Sequence, residues 1–145
     1  MKETDLNKMI QQLLIKLWPG EQLFWHRVEN VAAIGTFDVF FGTPWGSGWV
    51  ELKIAGPKAK PDVRPGQPGF AMRCLAAGVP AHILCCSDKG YVKLLEGICL
   101  GSDWEDHLVG TAEFGNAEAM RSLLMACTTA PARPEGSCGA MMAQL

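Results

Sequence analysis

The sequence predicts a single α/β or α+β domain in which a small mixed β-sheet is flanked by helices. Three observations point there. Two segments, one near each end, repeat apolar residues at helical spacing. Between them, short runs rich in aromatic and β-branched residues alternate with glycine- and proline-rich connections. A chain of 145 residues, 48% hydrophobic and 19% charged, has material for one core and no room for a second of ordinary size.

Leu6, Met9, Ile10, Leu13, Leu14 and Leu17 form the first stripe, with Thr4 or Asp5 as the N-cap and Pro19-Gly20 as the stop. If this helix reaches back to Glu3, that carboxylate projects along the apolar stripe. Residues 23–29 and 36–41 read as strands, and GTPWGSG at 42–48 as a hairpin connection. WVELKI, 49–54, is a strand whose alternation puts Trp49, Glu51 and Lys53 on one face and Val50, Leu52 and Ile54 on the other. A proline-rich loop follows, then a helix over 68–77 with Pro68 in its first turn and Gly78 at its end. AHILCC at 81–86 and YVKLL at 91–95 form a hairpin across SDKG. After an acidic loop comes a helix capped by Asn116, with Met120, Leu123, Leu124 and Cys127 as its stripe. Residues 129–145 lack periodicity and read as a tail, leaving 1–128 as the domain.

The composition excludes a disordered chain, and no apolar run approaches the ~20 residues that span a bilayer, so no membrane partner is expected. The N-terminus lacks the apolar block of a signal peptide, which predicts a cytoplasmic location. The six cysteines include no CxxC pair and two adjacent residues, Cys85 and Cys86, so they are expected to be reduced and buried. The net charge of −2 hides an asymmetry. Lys53, Lys58, Lys60, Arg64 and Arg73 crowd one stretch against Glu51 and Asp62, while residues 96–118 hold six acidic residues and no Lys or Arg. The basic stretch can attract anions locally, although ordinary solvated loop charges would look the same.

The residues that suggest chemistry are Asp38, Glu51 and Lys53. Asp38 falls inside the strand-like TFDVFF, where a carboxylate needs a cation, hydrogen-bond donors or water. A hairpin would set it beside the next strand, so that Asp38, Glu51 and Lys53 converge on one face. Two carboxylates so placed suit Mg²⁺, which takes one or two of them together with waters and substrate phosphate. A lysine alongside can hold the attacking water and neutralise charge developing on phosphorus. The plainer reading is a set of surface charges. A nucleotide-cradling loop is excluded, because GTPWGSG has neither the lysine nor the strand-to-helix setting.

Gly35-Thr36-Phe37-Asp38, the following Glu51-Leu52-Lys53 and Gln67 at a helix start resemble the PD-(D/E)XK nuclease superfamily. The likeness is strongest to its VRR-NUC and Holliday-junction-resolvase-like groups, many of them from phages, and covers residues 3–95. The resemblance implies a restriction-endonuclease-like fold and a divalent-metal-dependent DNA endonuclease active in recombination or repair. Asp38 and Glu51, with the main-chain carbonyl of Leu52, would ligate Mg²⁺ or Mn²⁺. Lys53 would activate water, Gln67 would orient Lys53 or touch the scissile phosphate, and Glu3 would match a helix-borne glutamate of the family. Phe37 stands where the family has its proline. Arg27, Lys58, Lys60 and Arg64 would contact the DNA backbone. The partner this resemblance implies is DNA, branched junctions included, and a homodimer is expected only if a junction with two symmetric strands is cut. The competing class is a catalytically inactive module that uses the same fold to bind DNA or protein.

Glu29 is an alternative further carboxylate. Trp45 and Trp49 could stack on bases, with core packing the stronger reading for Trp49. His26, His82 and His107 do not cluster in sequence, and the paired Met141-Met142 is unexplained.

Overall fold

The first helix forms because every third or fourth residue has an apolar side chain to bury. The computed structural model describes residues 1–28, 35–99 and 101–130, without the side chains at 101 and 102. In it α1 spans Glu3–Leu17 and buries Leu6, Ile10, Leu14 and Leu17. It begins one turn earlier than its stripe predicts. Lys2 is the N-cap, and Asp5 acts from inside the first turn, accepting the Lys2 N–H at 2.9 Å.

Strands β1 (Phe24–Arg27), β2 (Val39–Thr43) and β3 (Gly46–Ile54) form an antiparallel meander. The β2–β3 turn is tighter than the expected loop, because the Thr43 hydroxyl donates to the Gly46 carbonyl at 2.7 Å and pairing continues through Thr43. Asp38 is consequently not mid-strand. It occupies a bend immediately before β2, as its poor strand propensity favours.

From β3 the chain crosses through α2 (Gln67–Ala77) to β4 (Ala81–Cys86), which pairs parallel to β3. The antiparallel strand β5 (Tyr91–Glu96) follows. A 3₁₀ segment over Gly101–His107 then leads into β6 (Leu108–Glu113), and α3 (Ala117–Ala126) follows. The Asn116 side chain caps α3, accepting the Ala119 N–H at 3.1 Å. Strand β6 stands where the sequence suggested an acidic loop. Only Ala112 of it is buried, so as an edge strand it carries little apolar signal.

The six strands run in sequence order with one parallel pair. The α+β reading with a mixed sheet flanked by helices therefore holds. Helices α1 and α3 cover one face, with Val39, Phe41, Val50, Leu52, Leu84, Val92 and Leu94 beneath them. Helix α2 and the 3₁₀ segment, which contributes Trp104, cover the other, over Phe37, Ile83, Cys85 and Leu95. Cys74, Cys85, Cys86, Cys99 and Cys127 are buried free thiols, as expected of the described cysteines. Among the described residues no helix is long and apolar enough to cross a membrane. Glu29 and residues 131–145, most of the predicted tail, lie outside the described residues.

Candidate active site

Alternation along β3 turns Val50 and Leu52 toward α1 and leaves Trp49, Glu51 and Lys53 under α2. Burial there is almost complete: Glu51 is 1% and Lys53 4% exposed. A buried charge needs close partners. Glu51 has four. Its Oε2 lies 3.2 Å from Lys53 Nζ, and its Oε1 accepts the Asp38 N–H at 2.9 Å. The Gln67 side chain also hydrogen-bonds it, and the Asp38 carboxylate is close enough to repel it. Asp38 is held in turn by the Leu52 N–H, which its Oδ2 accepts at 3.4 Å. Asp38, Glu51, Lys53 and Gln67 are therefore one connected group, reached from the bend before β2, from β3 and from the first turn of α2.

A glycine makes this convergence possible. Gly35 has φ +94°, and a Cβ there would fall 2.2 Å from the Gly66 backbone. The segment leading to Asp38 can thus lie against the start of α2. Gln67 joins the two sides, its Oε1 accepting the Arg64 N–H at 2.9 Å while its amide reaches Glu51.

Burial holds the Glu51 carboxyl above its ordinary pKa, and repulsion by Asp38 pushes it the same way; Gln67 and Lys53 pull it back. The acid is under electrostatic strain that a further cation between the two carboxylates would relieve. Among the described residues no group of three or more His, Cys, Asp or Glu side chains gathers as a ready ligand cage. Two carboxylates with water and substrate oxygen nonetheless satisfy what Mg²⁺ requires of a protein, and Mn²⁺ accepts the same oxygen donors. Asp38 and Glu51 fit that role. The Leu52 side chain is buried on the opposite face, so only its main chain can take part.

Other expected residues are placed as follows. Glu3 opens α1 and faces Arg64, with Oε2 3.9 Å from Nη2. Lys58, Lys60 and Arg64 are exposed on the loop between β3 and α2. Arg27 pairs in register with Val39, one row from the Trp25–Phe41 pair, which puts it on the α1 face, away from Glu51 and Lys53. Trp45 packs on Trp18, ring centroids 5.5 Å apart, and Trp49 packs on Phe40 and Phe70.

Sequence reasoning missed Lys93. It is 1% exposed, and its ammonium donates to the carbonyls of Gly56, at 2.7 Å, and Ala59, pinning the start of the basic loop. The Trp104 ring lies 4.1 Å from that nitrogen. Burial lowers the Lys93 pKa. The signal was a lysine inside the apolar run YVKLL, the same oddity that drew attention to Asp38. Cys85 sits between Lys53 and Lys93 in the strand register, but burial pushes its thiol up to about 12, so it is no nucleophile at neutral pH.

No family model matches this chain, and no curated protein matches it in sequence. Among solved structures, Hjc, a Holliday junction resolvase from the archaeal hyperthermophile Archaeoglobus fulgidus, aligns with a TM-score of 0.48 at 13% identity, covering 82% of this chain and 98% of that one.

Proposed function

We propose that this protein is a divalent-metal-dependent endonuclease that hydrolyses DNA phosphodiester bonds, with branched DNA among its substrates. The observation that carries the reading is the strained carboxylate pair, with the buried Glu51 touching both the main chain of Asp38 and the ammonium of Lys53. A domain gains no stability by burying an acid beside a second acid, which supports a functional reading of this group.

Asp38 and Glu51, with the main-chain carbonyl of Leu52, would hold Mg²⁺ or Mn²⁺. That ion would supply Lewis-acid polarisation of the scissile phosphate and a lowered pKa for water. Lys53, anchored by Glu51, carries donors that can orient the attacking water and offset charge on the phosphoryl oxygens. Gln67 fixes the Glu51 carboxylate and, through the Arg64 N–H, ties the basic loop to the site. Lys58, Lys60 and Arg64 would meet backbone phosphates, giving affinity that falls with salt. Glu3 would modulate Arg64 rather than hold the ion. Water would be the nucleophile, attacking in line without a covalent intermediate, and the buried Cys85 thiol, pushed up to about 12, would not compete with it.

The test is cleavage of plasmid and of synthetic four-way junctions with Mg²⁺, with EDTA, and in the variants Asp38→Ala and Lys53→Ala. The expected result is metal-dependent cutting that falls by about 10³-fold in either variant. Gel shifts without cutting by any form, wild type included, would identify a binding module instead. If four-way junctions are cut symmetrically, sedimentation should show a homodimer.

A further inference from the structure

On the face that carries Glu51, the strand register builds a row of aromatic residues that the proposed chemistry does not use. His26 pairs with Phe40, and Phe40 with Trp49. Directly paired residues share a face, so all three stand on the α2 side with Glu51. The rings are in contact: Phe24 lies 6.2 Å from Phe40, Phe40 5.2 Å from Trp49, and Trp49 5.4 Å from Phe70. His26 stacks on Phe24 at 5.5 Å. The inner end is closed, since Phe70 of α2 covers Phe37, which is fully buried next to Asp38. The outer end is open. Phe24 is 54% exposed, His26 is exposed, and Phe40 is half-buried.

Along β3, this face therefore presents Trp49, then Glu51, then Lys53, two residues apart, a step of about 7 Å. The aromatic row lies on one side of the carboxylate pair, and the loop bearing Lys58 and Lys60 is pinned on the other by Lys93. Flat apolar rings and cations flanking one acidic pair match a ligand that is itself half planar base and half phosphate. In a duplex the bases stack on one another and offer no face to a protein edge. An unpaired base does.

We propose that Phe24, Phe40 and His26 form a stacking platform for unpaired bases beside the scissile phosphate. The preferred substrate is then DNA with single-stranded character at the cut, such as a flap or a splayed junction arm, rather than continuous duplex. This deepens the nuclease reading and rests on it.

The experiment uses the full chain with Ca²⁺ in place of Mg²⁺, so that binding is read without cutting. The probes are a blunt duplex and the same duplex with a single-stranded extension carrying 2-aminopurine. Wild type should quench the extension's fluorescence and bind it more tightly than the blunt form. In Phe24→Ala the ratio of the two affinities should fall about tenfold, the worth of one stacked base, and Phe24→Trp should restore it. His26→Ala should lower it less. Ile15→Ala, which trims an exposed side chain on α1, should leave the ratio alone. Thermal melting checks that each variant folds. An unchanged ratio in Phe24→Ala, or no quenching by wild type, overturns the platform while cleavage in Mg²⁺ leaves the nuclease reading standing. A shift in sedimentation of Phe24→Ala with its ratio unchanged would make the same edge a contact between copies of the chain, and would also overturn it. If wild type neither binds nor cuts any DNA, both readings fall together.

Discussion

The two faces of the sheet are built by different rules. Toward α1 and α3 the strands present aliphatic and aromatic side chains, and the helices answer with leucine, isoleucine and methionine. Toward α2 the same strands bury Glu51, Lys53 and Lys93, and α2 contributes Gln67. The first face is explained by transfer of apolar surface out of water. The second is not, because each buried charge loses hydration and only named partners offset the loss: Lys53 and Gln67 for Glu51, loop carbonyls and Trp104 for Lys93. One face holds the fold together, and the other gives up some of that stability to keep charge inside.

The sharpest way to break this contrast is His82, the one buried polar residue of the described chain on the apolar face. It pairs with Val50 in register, donates to the Cys127 backbone, and leaves its Nδ1 without a partner. Burial lowers its pKa from 6.5 to about 4. Above pH 6.5 the imidazole is neutral in both folded and unfolded chains and takes nothing from stability. As pH falls from 6.5 toward 4 the unfolded chain binds a proton that the folded chain refuses, and up to ~3 kcal/mol is lost. Glu51 runs in the opposite direction, its raised pKa making stability fall as pH rises above 4.5. Urea midpoints for wild type and His82→Leu at pH 7 and pH 4.5 isolate the first effect. The variant should lose less on acidification, and equal losses would mean that the apolar face does not exclude the proton.

This division was only partly legible in the sequence. The helical stripes of α1 and α3 and the alternation of WVELKI are local patterns, and local patterns survive folding. Glu51 and Lys53 could therefore be placed on one face before any coordinates. Asp38 was recognised for the wrong local reason, since it stands in a bend and not within a strand, yet its contact with Glu51 followed from the meander all the same. Arg27 went to the other face because its side is set by which β2 residue it pairs with, and register is not written in a four-residue strand. Strand β6 was lost because an edge strand with one buried residue has no pattern to read. Lys93 was lost because its partners are backbone carbonyls over thirty residues away, and a carbonyl leaves no mark in the sequence.

A smaller effect separates the two buried lysines of the charged face. Lys53 serves the carboxylates, whereas Lys93 serves the loop. Lys93→Met should cost about 2 kcal/mol, because the carbonyls of Gly56 and Ala59 lose a shared donor and must find water. The loss should be local as well as global. Trypsin should cut after Lys58 faster in the variant than its lowered stability explains, measured against the rate at a site in α1. If proteolysis there is unchanged, the loop is held by its prolines and not by the ammonium.

The smallest expected change bears most directly on the site. Asp38→Asn removes one negative charge and keeps an oxygen to accept the Leu52 N–H. Glu51 then loses the repulsion from Asp38, and its pKa should move down toward the ordinary carboxylate value while burial still holds it somewhat above. At neutral pH, freed of the repulsion between the two carboxylates, the variant should be more stable by roughly 0.5–1 kcal/mol. Near pH 4 that gain should shrink, because a protonated Glu51 has no repulsion to relieve. Cleavage should be lost in the same protein, so stability and activity move in opposite directions. Following the Glu51 side-chain carbon by NMR across pH, beside denaturation at the two pH values, reads both effects. A titration of Glu51 that does not move on losing the Asp38 charge would mean that the carboxylates are too weakly coupled to share an ion, and the charged face would then be only an unusual core.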